Sequence, residues 1–268
     1  MIPTDTIDKL ETIWRSVSAL GAELDESQWK LPTELAGWTV QDNLAHLIGT
    51  ERMLQGLPAA EMPTDVGDHV KNPIGKFNEA EVEARRGQSG AAVLAEWNDL
   101  VDLRVSTLRS ADDAYFAKEM STPTGPGTMA DFLHIRVLDC WIHEQDMRRA
   151  VAMPGHLDGA AAEHTVDRLL RTVPVVVGKR AATPEGRAVV IDIVGAVPRH
   201  VVCEVVNGRA AIVDAPSTEP IATVTLDAEA FVVLATGRCT AAAIPDRIHL
   251  DGDKELGQRV VDTLNMMI

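Results

Sequence analysis

Ile7, Leu10, Ile13, Trp14, Val17 and Leu20 recur at intervals of three or four, which puts them on one face of a helix, and Gly21 stands where that helix can end. A second apolar stripe, Leu44, Leu47, Ile48, Met53 and Leu54, follows Thr39-Val40-Gln41-Asp42, a capping box with Asp in the usual place of Glu. Further helices are expected at about 91–108 and 128–150. Between them, 57–73 holds three prolines and Gly67 and reads as a surface loop. Thr122-Pro123-Thr124-Gly125-Pro126-Gly127 is a cluster of breakers, and Pro154-Gly155 closes the last helix. Four helices joined by irregular connections predict a bundle.

The pattern then changes. After a helix-like stretch at 160–170, residues 189–194 and 201–206 are rich in β-branched side chains. Asn207-Gly208 separates 201–206 from 209–213, the signature of a two-residue hairpin turn. Residues 222–226 read as another strand, and 227–234 and 253–264 as helices. The expected fold is therefore α+β: a four-helix bundle over residues 1–157, followed by a smaller α+β domain over 158–268.

Composition narrows the function classes. The 268 residues are 46% hydrophobic and 24% charged, the mix of a soluble globular protein, with only 4% aromatic side chains. A net charge of −15 without a run of Lys or Arg argues against nucleic acid and against anionic membrane surfaces as partners. Cys140, Cys203 and Cys239 are few, odd in number and far apart, which fits a reducing cytoplasm better than a disulfide framework. The N-terminal residues lack the pattern of a signal peptide, and no apolar stretch approaches a membrane span, so a cytoplasmic protein is expected.

Candidate chemistry gathers in two helices. Asp139 and His143 are four residues apart and share a face in a mostly apolar stretch. His46 lies among Leu44, Ala45, Leu47 and Ile48 on another helix. If the bundle brings these faces together, two imidazoles and a carboxylate converge, a donor set that suits zinc and leaves a fourth position open. The same spacing also serves an ordinary helix-surface pair, and a lone histidine is commonly a satisfied core residue. Cys140 is read as a packed core thiol. Glu144, Asp146, Arg148 and Arg149 are read as solvated helix-end charges, with Asp146 also a candidate acceptor for a ligand imidazole. His143-Glu144-Gln145-Asp146-Met147 opens like a zincin motif, but Met147 stands in the place of the second histidine.

Two stretches, Gly37-Trp38-Thr39-Val40-Gln41-Asp42-Asn43-Leu44-Ala45-His46-Leu47 with Glu51, and Arg136 through Ala150, resemble the mycothiol-dependent maleylpyruvate isomerase family of actinobacteria. That family belongs to a wider DinB/YfiT-like group of metal-binding four-helix bundles. The resemblance implies a divalent metal, most simply zinc, on His46, Asp139 and His143, with Asp139 where the isomerase proper carries Glu. Stretches 222–227, 234–238 and 249–256 resemble the sterol-carrier-protein-like C-terminal domain of these enzymes. There the resemblance implies a role for Arg238 in holding a substrate carboxylate, which fits the fork of a guanidinium.

The implied function is a metal-dependent enzyme that activates a low-molecular-weight thiol, mycothiol by resemblance. The thiol would serve isomerisation of, or transfer to, a small electrophilic substrate. The alternative is a metal-containing small-molecule or lipid-binding protein without catalysis. An acidic surface leaves room for a homodimer.

Overall fold

The apolar stripe near the start forms α1, Thr4–Glu23, and all six of its periodic side chains are buried. Gly21 does not end it. A Cβ there would come within 3.1 Å of the Trp29 ring and 2.7 Å of Leu94, so the glycine is required by packing rather than by termination. The computed structural model describes residues 1–63, 67 and 70–266. The chain divides into two units, Met1–His156 and Leu157–Ile268.

In the first unit, α1 is followed by α2 (Glu26–Trp29) and α3 (Val40–Leu54). The capping box of α3 forms as the sequence predicts: Asp42 N donates to Thr39 Oγ1, and Asp42 Oδ2 accepts from Thr39 N at 2.8 Å. The connection after α3 includes 64–66 and 68–69, so the expected loop lies partly outside the described residues. It leads into α4 (Pro73–Arg86), a helix absent from the sequence reading, with Pro73 in its first turn and Asn72 Oδ1 accepting from Gly75 N at 2.8 Å. Then come α5 (Gly90–Ser110), α6 (Asp113–Ala117), the paired strands β1 (Glu119–Thr122) and β2 (Gly125–Thr128), and α7 (Met129–Ala150). The breaker cluster is thus a short hairpin, not an irregular connection. Its four-residue strands are too short to show alternation, and one contains Gly-Pro-Gly.

The bundle proper is α1, α3, α5 and α7: α1 packs on α5 and α7, and α3 packs on α5 and α7 while also carrying α4. The α3–α4 seam is unusually close at Gly49, where an added Cβ would lie 2.4 Å from Cβ and Cγ of Glu81. Glu81 cannot retreat freely, because its carboxylate accepts from Arg85 Nη1 and from Ala60 N, both at 2.8 Å. Gly49→Ala is accordingly expected to destabilise the protein by about 1–3 kcal/mol through overpacking. Urea unfolding measures this directly, and a change below about 0.5 kcal/mol would contradict so tight a seam.

The second unit contains α8 (Gly159–Leu170), a π-helical turn at Val175–Arg180, and strands β3 (Ala188–Val194), β4 (Arg199–Val206), β5 (Arg209–Val213) and β6 (Ala222–Asp227). They are followed by α9 (Ala228–Ala235), β7 (Ile248–Gly252) and α10 (Lys254–Asp262). The sheet order is β5-β4-β3-β6-β7; only β3 and β6 run parallel. Asn207 and Gly208 both take positive φ (54° and 72°), as a tight hairpin turn requires, and Glu185 accepts from both of their backbone N–H groups. The expected mixture of a helical bundle with a smaller mixed unit is what the chain forms. Among the described residues no helix is long and apolar enough to cross a membrane.

Candidate metal centre

α3 presents His46 two turns after its cap, and α7 presents Arg136, Asp139 and His143 on one face. Packing of α3 on α7 brings the three candidate donors together. His46 Nε2 lies 3.3 Å from Asp139 Oδ2, and His143 Nε2 lies 3.6 Å from Asp139 Oδ1. Each of the three residues offers a ligand atom within 4.8 Å of the others. The imidazole centroids are 4.6 Å apart, and the Trp38 ring lies over both, 5.3 Å from His46 and 5.9 Å from His143. Both histidines are buried, whereas a quarter (25%) of the Asp139 side chain is open, so approach to the group is from the carboxylate side.

Hydrogen bonding fixes the proton positions. Asn43 Nδ2 donates to Thr39 O at 2.9 Å and to Thr33 Oγ1 at 3.2 Å, so its Oδ1 is the atom turned to His143 Nδ1 at 2.8 Å. His143 Nδ1 therefore carries a proton. In the neutral ring this leaves the Nε2 lone pair facing the Asp139 carboxylate, an arrangement that needs a cation between them, either a proton or a metal. Burial lowers the affinity of His143 for a second proton, but Asp139 and Asp146 together overcome burial and raise its pKa above 6.5. His46 behaves oppositely: burial outweighs the pull of Asp139 and brings its pKa down to about 4, so it is a neutral donor. Its Nδ1 is buried and finds no hydrogen-bond partner among the described residues. Burial opposes the charge of Asp139, yet Arg136 and the two imidazoles hold its pKa well below the usual carboxylate range.

This donor set can hold a metal. Two imidazole nitrogens and a carboxylate oxygen are ordinary zinc donors, and bonds of about 2.05 Å to a tetrahedral ion would separate its ligands by about 3.3 Å. His46 meets one oxygen of Asp139 at 3.3 Å and His143 the other at 3.6 Å, each close to that edge length, while one ligand atom from each of the three residues lies within 4.8 Å of the others.

Other residues differ in part from expectation. Asp146 Oδ2 lies 3.3 Å from His143 Nδ1, but Asn43 is the nearer acceptor, a residue to which the sequence reading gave no role. Glu144 and Asp146 are not solvated helix-end charges: both are buried. Glu144 accepts from Ser16 Oγ at 2.6 Å and Arg148 Nε at 2.8 Å, and its Oε2 lies 2.7 Å from His156 Nδ1. Asp146 accepts from Arg149 Nη2 at 2.6 Å. Arg148 and Arg149 are half-buried against these carboxylates. The end of α7 is covered by α1 and by the returning segment at 153–156, which no local pattern announces. Cys140 is fully buried, and burial pushes its thiol up to about 12, in keeping with a packed, unreactive group. Arg238 belongs to the second unit, where its Nη1 donates to Thr236 O at 3.0 Å. Glu51, Arg136 and Trp38 stand in the stretches that carry the resemblance. The signal for Arg136 is its place one helical turn before Asp139.

In fold the chain is similar to the crystal structure of the mycothiol-dependent maleylpyruvate isomerase, with a TM-score of 0.57, 15% identity and 92% of each chain covered. It is similar also to a histidine-to-alanine variant of that isomerase, at a TM-score of 0.53, 15% identity and the same coverage. No curated protein matches the chain. Residues 10–148, just over half of the chain and the part that holds all three donors, match the mycothiol maleylpyruvate isomerase N-terminal domain, and the chain belongs to that family.

Proposed function

We propose that this protein is an enzyme that binds a divalent metal, zinc by preference, on His46, Asp139 and His143 and activates a low-molecular-weight thiol, mycothiol, for reaction with a small electrophile. The observation that carries this reading is the lone pair of His143 Nε2, held toward Asp139 by the Asn43 hydrogen bond, with a neutral His46 beside the same carboxylate. When bound, the metal supplies an open position at which a thiol is held as its thiolate. Asn43 keeps His143 in the donor tautomer, and Trp38 walls the two imidazoles from water. Arg238 is proposed to hold a substrate carboxylate through its guanidinium fork. If the new carbon–sulfur bond is broken again after rotation about the carbon–carbon bond, the outcome is isomerisation; if it is kept, the outcome is an S-conjugate. A cytoplasmic setting fits three free cysteines.

Cobalt-substituted protein tests the reading. Addition of mycothiol should generate an intense thiolate-to-metal band, and its absence at saturating thiol would remove the proposed chemistry. Mass spectrometry after incubation with thiol and a cis enone acid then separates an S-conjugate from a trans product.

The proton positions make a second expectation. The metal must displace the proton that His143 Nε2 still holds below its raised pKa, whereas His46, at about 4, and Asp139, lower still, are already free. Apparent affinity should therefore fall with acid, on the order of tenfold per pH unit between about pH 6.5 and 5, with one proton released per metal. Calorimetry in buffers of different ionisation enthalpy counts that proton; none, or two, would contradict the assignment.

A further inference from the structure

Four charged side chains alternate in sign through the interior of the bundle. Arg104 on α5 donates through Nε to Glu51 Oε2 on α3 at 2.9 Å, and Arg136 on α7 donates through Nε to Glu51 Oε1 at 2.9 Å. Arg136 Nη1 in turn donates to Asp139 Oδ2. Arg104, Glu51 and Arg136 are all buried to 1% exposure or less. Taking such charges out of water costs several kcal/mol per ion, and apolar replacements for a whole buried ion pair or triad are often neutral or stabilising. Packing alone therefore does not account for the row. Its hydrogen bonding is incomplete as well: Arg104 Nη1 reaches Gln55 Oε1 at 3.1 Å, but Nη2 of Arg104 and Nη2 of Arg136 each lack a partner among the described residues. What the row does accomplish is to put a guanidinium on one oxygen of the candidate ligand Asp139 and a counter-charge behind that guanidinium.

We propose that Glu51 and Arg136 are positioning residues that set the orientation and the effective charge with which Asp139 meets the metal. The inference rests on the metal-binding reading above. Arg136 ties down Oδ2 and draws charge away from the bound cation, while Glu51, on the far side of Arg136 and shared with Arg104, offsets part of that positive charge. Glu51 and Arg136 therefore act on metal affinity with opposite signs, although both lie in one hydrogen-bonded row. Buried charges at this range are poorly screened, so the effect is large even though neither residue touches the metal.

The experiment is a chelator-competition titration of zinc into metal-free protein, with a thermal melt of each variant to establish that it is folded. Glu51→Gln removes the counter-charge behind Arg136, leaving that guanidinium to draw on Asp139 alone, and is expected to weaken zinc binding by roughly tenfold or more. Arg136→Gln removes the competing charge and is expected to tighten binding by about threefold or more. The double variant takes out both charges of the pair and should return affinity to within about threefold of the starting protein; Arg136→Gln, which keeps the buried Arg104–Glu51 pair, is the one expected to fold most readily. A purely structural role predicts instead that both single variants weaken binding and that the double variant is weakest; that pattern overturns the proposal while leaving the metal site in place. Failure of the unaltered protein to take up zinc overturns the metal reading and this inference with it.

Discussion

Replacing His46 by alanine is expected to abolish stoichiometric metal uptake and to lower thiol-dependent turnover by about a thousandfold or more, equivalent to roughly 4 kcal/mol at 1.4 kcal/mol per tenfold. The reason is the donor count. Three protein atoms converge, and with Nε2 of residue 46 gone the carboxylate and one imidazole of α7 are left, two neighbours on a single helix. Two such ligands cannot define a tetrahedral site with one vacancy. The fold should survive, because His46 makes few polar contacts: Nε2 faces Asp139 at 3.3 Å, and Nδ1 has no partner among the described residues. Metal content by inductively coupled plasma mass spectrometry, together with a melting curve, checks both halves. A folded variant that still carries one metal per chain would rule out His46 as a ligand.

Glu144→Ala is expected to cost about 3–5 kcal/mol of stability, because it removes one partner from a buried ionic cluster and strands the others. Glu144 is 0% exposed and stands at the centre of Ser16, Arg148 and His156, and Arg148 also donates to Ser16 Oγ at 2.9 Å. The cluster ties α1 to the end of α7 and to the segment after it, and Trp141 Nε1 adds a bond to His156 O at 2.9 Å. At about 2–4 °C per kcal/mol for a chain of 150–250 residues, the melting point of the first unit should drop by roughly 6–20 °C. Below that transition zinc affinity should be unchanged, since Glu144 makes no bond to the three candidate donors. A shift of less than about 2 °C would mean that solvent already compensates this carboxylate, as in the helix-end reading.

How much of this could be read along the chain varies with the kind of residue. The stripe in α1, the Thr39–Asp42 box and the Asn207-Gly208 turn were legible because each depends on neighbours within four positions. α4 was not, because its buried residues are Glu79, Glu81 and Arg85 with only Ala80 and Val82 among them, too few apolar positions to make a stripe. These charges are buried only because partners arrive from elsewhere: Trp38 Nε1 donates to Glu79 Oε2 at 3.0 Å, and Glu96 accepts from Arg85 at 2.7 and 2.8 Å. The same limit explains Glu144, whose partner Ser16 lies 128 positions away.

The candidate centre follows this division. Local spacing, joined to the family resemblance, was enough to nominate His46, Asp139 and His143, since helix geometry alone puts two of them on one face. The Arg136–Asp139 pair is local, one helical turn apart, but which imidazole nitrogen carries a proton depended on Asn43, 100 positions from His143, and the counter-charge behind Arg136 on Glu51, 85 positions away. Propensity, capping and turn chemistry act over one helical turn and are written in adjacent residues. The desolvation of a charge and its choice of partner act through space, and those exist only once α3, α5 and α7 have packed.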